Sequence, residues 1–235
     1  MIKLRRALYA VWLYGGTFLL MTLYLPLLFV PRAGIREALK FWARVMIFGM
    51  RYIAGVRLDI RGIERLPKGS YILACKHQSM FDVVPPYFVA HDMLYVMKKE
   101  LGRVPLFGWL SLKAKMIRVD REAHAQALRQ LIADARMLMA ETRQLLIFPE
   151  GTRHPPGSPP EYKPGVAALY KELDVPCVPV ATNSGVYLDA AANVMKRGTV
   201  VWEILEPIPP GLKRAEFMRV LQERIETAST ALLTE

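Results

Sequence analysis

Two periodicities alternate along most of this chain. Apolar runs of four to seven residues, rich in Val, Ile and Leu, fall at 57–62, 71–75, 93–98, 116–119, 145–148, 177–181 and 199–205. Several are continuous rather than alternating, which suits strands covered on both faces. Between them the period lengthens. Leu128, Leu131, Ile132, Ala135, Leu138 and Met139 form one stripe of a helix predicted over 122–143. Phe217, Val220, Leu221, Ile225, Ala228 and Leu232 do the same over 213–233. Strands alternating with helices predict one α/β domain over 57–235, a single mixed, largely parallel sheet flanked by helices.

The first 56 residues follow another pattern. Ala7 to Pro31 carry no charged residue, behind Lys3, Arg5 and Arg6. A straight helix of that length would rise roughly 37 Å, against a ~30 Å hydrocarbon core. Pro26 is expected to kink or end it, leaving 7–25 just long enough to span. The expectation is an N-terminal hydrophobic membrane-anchoring helical segment. A cleaved signal peptide competes, but the stretch is long for one and no small-x-small pattern follows. Basic residues flank both ends, so a single span and a re-entrant hairpin both stay open. Farther on, Ile35, Leu39, Trp42, Val45, Met46 and Gly49 recur at helical spacing, while Arg36, Lys40 and Arg44 repeat every four residues on another face. That pattern fits a basic amphipathic helix on an anionic surface or a helix packed on the domain. Residues 1–56 are thus expected to be an anchor with an interfacial helix, apart from the domain over 57–235.

Composition sharpens this picture in two respects. Hydrophobic residues make up 53%, and 32 basic against 21 acidic residues leave a net charge of +11. That balance favours anionic partners, whether nucleic acid, an anionic lipid surface or an acidic carrier. No helix-turn-helix, finger or RNA-binding signature is present, which argues against nucleic acid. Cys75 and Cys177 lie far apart inside apolar runs and read as free thiols in a reducing compartment, with a bridge as the alternative. No paired histidine spacing or Cys-x-x-Cys suggests a metal, and no glycine-rich nucleotide loop follows a strand.

Two clusters carry candidate chemistry. In Lys76-His77-Gln78-Ser79-Met80-Phe81-Asp82 a histidine precedes an aspartate by five residues, directly after an apolar run. On a regular helix five residues turn about 500°, so the two side chains would point about 140° apart. They can meet only in an irregular turn, which Pro85 and Pro86 support by placing the helix start near Val84. Asp82 would then hold one ring nitrogen, leaving the other to take a proton from an alcohol. The plainer alternative is that Ser79-x-x-Asp82 merely caps a helix. The second cluster, Phe148-Pro149-Glu150-Gly151-Thr152-Arg153, follows another apolar run. Its glycine permits a tight turn and its arginine offers a fork to phosphate oxygens, although a solvated surface turn has the same composition.

Together these clusters resemble the glycerolipid acyltransferases of the 1-acylglycerol-3-phosphate acyltransferase type, over roughly Ile63 to Pro210. Two weaker blocks appear in the same order. Lys98-Lys99-Glu100-Leu101 through Pro105-Leu106-Phe107-Gly108-Trp109 to Asp120-Arg121 looks like the acceptor-binding block, and Val175 to Ala181 looks like the strand closing the site. Ala181-Thr182-Asn183-Ser184-Gly185 and Pro207 to Gly211 are similar to bacterial members. The resemblance implies that His77 is the general base on the acceptor's hydroxyl and that Asp82 orients it. It implies that Glu150, Gly151, Thr152 and Arg153 belong to the acceptor pocket, with Lys98 and Arg121 helping to hold the phosphate. It implies direct attack on the thioester of acyl-CoA or an acyl-carrier protein as co-substrate, with no cofactor, no metal and no covalent intermediate on Cys75. The implied setting is the bacterial inner membrane, with the catalytic domain on the cytoplasmic side, a lipid acceptor, and no nucleic acid. Lys76 stands where many members have Asn and His154 where Ser is common, which bears on acceptor and donor preference. Lys163 is either a further anion contact or a solvated lysine; His91 and His124 have no motif context. An acyltransferase for another lysolipid and a non-catalytic anion-binding membrane protein are the rival readings.

Overall fold

A computed structural model describes residues 2–120, 124–189 and 194–234. Among the described residues nine strands form: β1 Val56–Arg61, β2 Ile72–Cys75, β3 Met93–Lys98, β4 Ile117–Val119, β5 Gln144–Ile147, β6 Cys177–Thr182, β7 Leu188–Asp189, β8 Val194–Met195 and β9 Gly198–Ile204. Seven of them build one sheet in the order β1-β9-β6-β2-β5-β3-β4. The five strands from β6 to β4 run parallel, and β9 joins β6 antiparallel with β1 alongside it. All seven strands expected from the apolar runs are present, within a residue at most ends.

The helices are α1 Ile2–Ala10, α2 Gly16–Leu23, α3 Arg32–Gly49, α4 Pro86–Val89, α5 Phe107–Lys113, α6 His124–Met139, α7 Gly165–Leu173, α8 Ser184–Tyr187 and α9 Arg214–Ala231. One layer beside the sheet packs α6, α7 and α9 through Leu131, Ala135, Leu169, Phe217, Leu221 and Ile225 onto Ile72, Leu94 and Leu145. The stripes read at helical spacing are the ones buried. All four residues of β2 are fully buried, as continuous apolar runs in a doubly covered parallel sheet should be.

The N-terminal segment corrects the sequence-based expectation. Among the described residues no helix is long and apolar enough to cross a membrane, so the expected N-terminal membrane-anchoring helix is absent from the fold. The apolar stretch is subdivided instead. A π-helical turn, Val11–Gly15, separates α1 from α2, and α-helical geometry stops at Leu23 before a 3₁₀ turn, Leu25–Phe29, that contains Pro26. Part of the stretch is spent on intramolecular packing: the Trp12 indole Nε1–H donates to the Val45 carbonyl of α3 at 3.0 Å. Tyr24, Leu27 and Leu28 pack against a buried cluster of Ile35, Leu110 of α5 and Ala114 just after it.

The basic amphipathic segment forms one helix over Arg32–Gly49. Helix α3 packs on the domain, burying Ile35, Ala38, Ala43, Met46 and Gly49. Its first residue, Arg32, pairs with Asp92 at 2.6 Å, just ahead of β3. Asp92 in turn faces the fully buried Arg143, which donates to the Ala114 and Lys115 carbonyls at 3.0 and 3.2 Å. Arg36 and Lys40 share the exposed Glu37.

Candidate active site

Strands β2 and β5 are parallel neighbours in register, Ile72 with Leu145 and Ala74 with Ile147. Their carboxyl ends therefore emerge side by side, and the two clusters, about 70 residues apart in sequence, meet at one edge of the sheet. Crevices at the carboxyl ends of parallel strands are where open α/β sheets bind ligands. The rings of His77 and Phe148 stack there, with centroids 3.8 Å apart and planes 16° apart. The His154 N–H donates to the His77 carbonyl at 2.9 Å, tying the second turn to the first.

The His77 loop is irregular, as its spacing required. A 3₁₀ turn, Met80–Val83, begins it, with Ser79 as the extended N-cap residue. His77 Nδ1–H donates to Asp82 Oδ2 at 3.1 Å, and the same oxygen accepts from the Gln78 and Ser79 backbone N–H groups at 2.7 and 2.8 Å. Ser79 Oγ accepts from the Phe81 N–H at 3.1 Å, completing a capping box. The capping and the ring-orienting readings of Asp82 are thus both realised by one carboxylate. Asp82 is fully buried, while the His77 side chain is 14% exposed. That exposure leaves Nε2, the nitrogen not held by Asp82, as the ring atom available to a reactant, in the tautomer a proton acceptor needs.

The second turn reverses at Gly151, whose φ of +69° lies in the left-handed region that glycine occupies without steric cost. Thr152 and Arg153 are exposed beyond it. Lys98, at the end of β3 beside β5, is exposed at the same edge, and neither Lys98 nor Arg153 forms an ion pair among the described residues. Lys163 donates its backbone N–H to the Pro149 carbonyl at 2.8 Å, while its ammonium pairs with Glu161. Glu150 departs from the expected pocket position: it is 1% exposed and its carboxylate turns inward to Lys76 at 2.7 Å. Arg121 and His124 were singled out from sequence; Arg121 lies outside the described residues, as does the side chain of His124.

The loop from Lys99 to Phe107 borders this edge. Its form depends on Gly108, where a Cβ would stand 2.1 Å from the Gly102 carbonyl oxygen, and on Arg118, which donates to the Gly108 carbonyl at 2.7 Å. Cys75 is fully buried and its thiol is pushed well up by burial, with Asp82 and Glu150 adding to the shift, so it is a poor nucleophile at neutral pH. Residues missed from sequence include Gln78, whose Oε1 accepts from the Gly185 N–H at 3.1 Å and so ties the His77 loop to α8. Glu226 was missed too, and nothing local marks it; Lys76 stood out in the sequence only as a departure from the family pattern, without its partners. Among the described residues no cluster of three or more His, Cys, Asp or Glu side chains is arranged to hold a metal.

A histidine held by a buried carboxylate thus stands next to a glycine turn and exposed cations at the carboxyl end of a parallel sheet. A family model described as Acyltransferase matches residues 57–183, more than half of the chain, and the chain belongs to that acyltransferase family. It is 34% identical over 169 residues to a 1-acyl-sn-glycerol-3-phosphate acyltransferase of Pseudomonas aeruginosa, covering 72% of this chain and 66% of that protein, just under two thirds. It is 27% identical over 230 residues to the sheep enzyme 1-acyl-sn-glycerol-3-phosphate acyltransferase alpha, covering 91% of this chain and 76% of that protein. In fold it is similar to the crystal structure of a 1-acyl-sn-glycerophosphate acyltransferase from Thermotoga maritima, with a TM-score of 0.83 over 100% of this chain and 99% of that one at 19% identity.

Proposed function

We propose that this acyltransferase moves a fatty acyl group from a thioester to the free hydroxyl of 1-acyl-sn-glycerol-3-phosphate, giving phosphatidate. The observation that carries the proposal is the His77–Asp82 pair set beside exposed Lys98 and Arg153, which puts a candidate base and two exposed cations at one sheet edge. The names of the curated relatives support the choice of acceptor. In this reading His77 Nε2 takes the proton of the attacking hydroxyl while Asp82 stabilises the imidazolium. The hydroxyl oxygen bonds to the thioester carbonyl, and the tetrahedral adduct collapses by expelling the thiolate, which recovers the proton from His77. Lys98 and the Gly151–Arg153 turn hold the phosphate, and Arg121 is proposed to assist them.

The donor is acyl-CoA or an acidic acyl-carrier protein, both favoured by the net charge of +11. Because the acceptor is a lipid and the donor is cytosolic, the proposed place of action is the cytoplasmic face of a bacterial inner membrane. The test is an assay in lipid with lysophosphatidate and a labelled acyl thioester, beside His77→Ala, Lys98→Ala and Arg153→Ala. Phosphatidate formation falling by about 10²–10⁴ in His77→Ala is expected. The two cation variants are expected to raise KM for the acceptor about tenfold or more, with a smaller change in kcat. Turnover with another lysolipid but not with lysophosphatidate would keep the base and discard the acceptor.

A further inference from the structure

Beneath the site lies a charge cluster that the proposed chemistry does not use. Lys76 Nζ is 2.7 Å from Glu150 Oε1 and 2.8 and 3.0 Å from the two carboxylate oxygens of Glu226. The Lys76 and Glu150 side chains are 3% and 1% exposed, and that of Glu226 is 24%. The Tyr162 hydroxyl donates to Glu226 Oε1 at 2.8 Å. Burial, and then the Glu226 charge, push that phenol far above the usual tyrosine range, so it stays a neutral donor. The Lys76 backbone N–H is fixed to the Val180 carbonyl at 2.9 Å, which anchors the residue in the sheet.

The three charged residues come from three separate parts of the chain. Lys76 immediately precedes His77; Glu150 sits between Pro149 and Gly151 of the second turn; Glu226 is on α9, 150 residues after Lys76. A buried ion pair adds little net stability over apolar packing, because desolvation consumes most of the Coulomb energy. It does impose directional geometry, and removing one partner leaves an uncompensated buried charge. Here that geometry links the residue beside the base to the residue beside the glycine turn through one ammonium group.

We propose that Lys76, clamped between Glu150 and Glu226, is a positioning residue that sets the separation of the His77 loop from the Glu150–Arg153 turn, and that α9 takes part in the reaction through Glu226. The inference rests on His77 being the base of the transfer. Helix α9 lies outside the matched span of 57–183, so one of the three charged residues of the clamp comes from beyond that span.

The experiment compares Lys76→Met, Lys76→Arg and Glu226→Gln with the wild-type chain in lipid. It measures thermal midpoint, kcat and acceptor KM, and the NMR signal of the His77 Nδ1 proton held by Asp82. Lys76→Met is expected to lower kcat about 10- to 100-fold and raise acceptor KM, as a displacement near 1 Å does. The Nδ1 proton signal is expected to shift or broaden, Lys76→Arg to recover part of kcat, and Glu226→Gln to show the same changes in smaller measure. A lowered midpoint with kcat and KM within twofold of wild type and an unmoved His77 signal would make the cluster purely structural and overturn the proposal. If Lys76→Met does not fold, Glu226→Gln decides by the same criteria. If the wild-type chain does not acylate lysophosphatidate, the acceptor assignment falls, whereas the His77 signal still decides the clamp.

Discussion

At the scale of single residues, one carboxylate holds three groups. Asp82 Oδ2 accepts from the His77 ring and from two backbone N–H groups, so a change at this position alters both loop geometry and base chemistry. Asp82→Asn keeps the size but can present an N–H where the acceptor was, favouring the wrong imidazole tautomer. We expect kcat to fall by about 10²–10⁴ with acceptor KM little changed, as steady-state kinetics with the proposed acceptor would show. A fall of less than threefold would leave Asp82 with capping alone. The candidate residues His77, Asp82, Gly151 and Arg153 were legible in the sequence because their chemistry depends on close neighbours along the chain. The inward turn of Glu150 was not legible, since its partner Lys76 lies 74 residues earlier and only strand pairing joins them.

Among the elements, the limb from Lys98 through α5 is open to steric perturbation at Gly108. The Gly102 carbonyl occupies the space a side chain at 108 would need, and a Cβ 2.1 Å from that oxygen forces the backbone apart. Gly108→Ala is therefore expected to shift this loop and, with it, Lys98 at its base. The expected outcome is a severalfold rise in acceptor KM with a smaller loss in kcat, and a thermal midpoint lower by a few degrees, about 1–3 kcal/mol of overpacking. Unchanged KM together with the lowered midpoint would dissociate the limb from acceptor binding. The strands and the long helices α6 and α9 were readable from hydrophobic period. The start of the short helix α4 was marked by Pro85 and Pro86, whereas α5 and α8 were not legible, because segments of seven and four residues present too few turns for a period to emerge.

For the molecule as a whole, the titration of buried acids sets an upper pH limit. Cys75, Cys177 and Tyr71 are all buried, and burial raises each, the Tyr71 hydroxyl to about 12. In the unfolded chain the thiols ionise near 9 and the phenol near 10, so above those values the unfolded state binds fewer protons than the folded one. Stability from these groups is complete below about pH 9. It declines as pH rises toward their folded values. Thermal midpoints should be flat from about pH 7 to 8.5 and fall steadily to pH 11, with Cys75→Ala/Cys177→Ala softening the first part of the fall. A midpoint constant to pH 11 would show that these groups titrate alike in both states.

The division between sequence and structure follows the range of the interactions concerned. Hydrophobic period determined the mixed α/β class and the location of the seven strands of the main sheet, but not of the two-residue strands β7 and β8, because burial on a strand or helix face is a local repeat that two residues cannot show. The motif spacing determined the pairing of His77, the proposed base, with Asp82, since both sit within one turn. Whether the uncharged stretch 7–31 forms a membrane-crossing helix was decided only by tertiary structure. The π turn at Val11–Gly15, the break at Pro26 and the Trp12–Val45 bond divide and redirect a segment whose composition alone reads as continuous. The meeting of the two clusters, and the Lys76–Glu150–Glu226 cluster under them, were likewise decided in three dimensions, by the parallel pairing of β2 with β5 and the docking of α9.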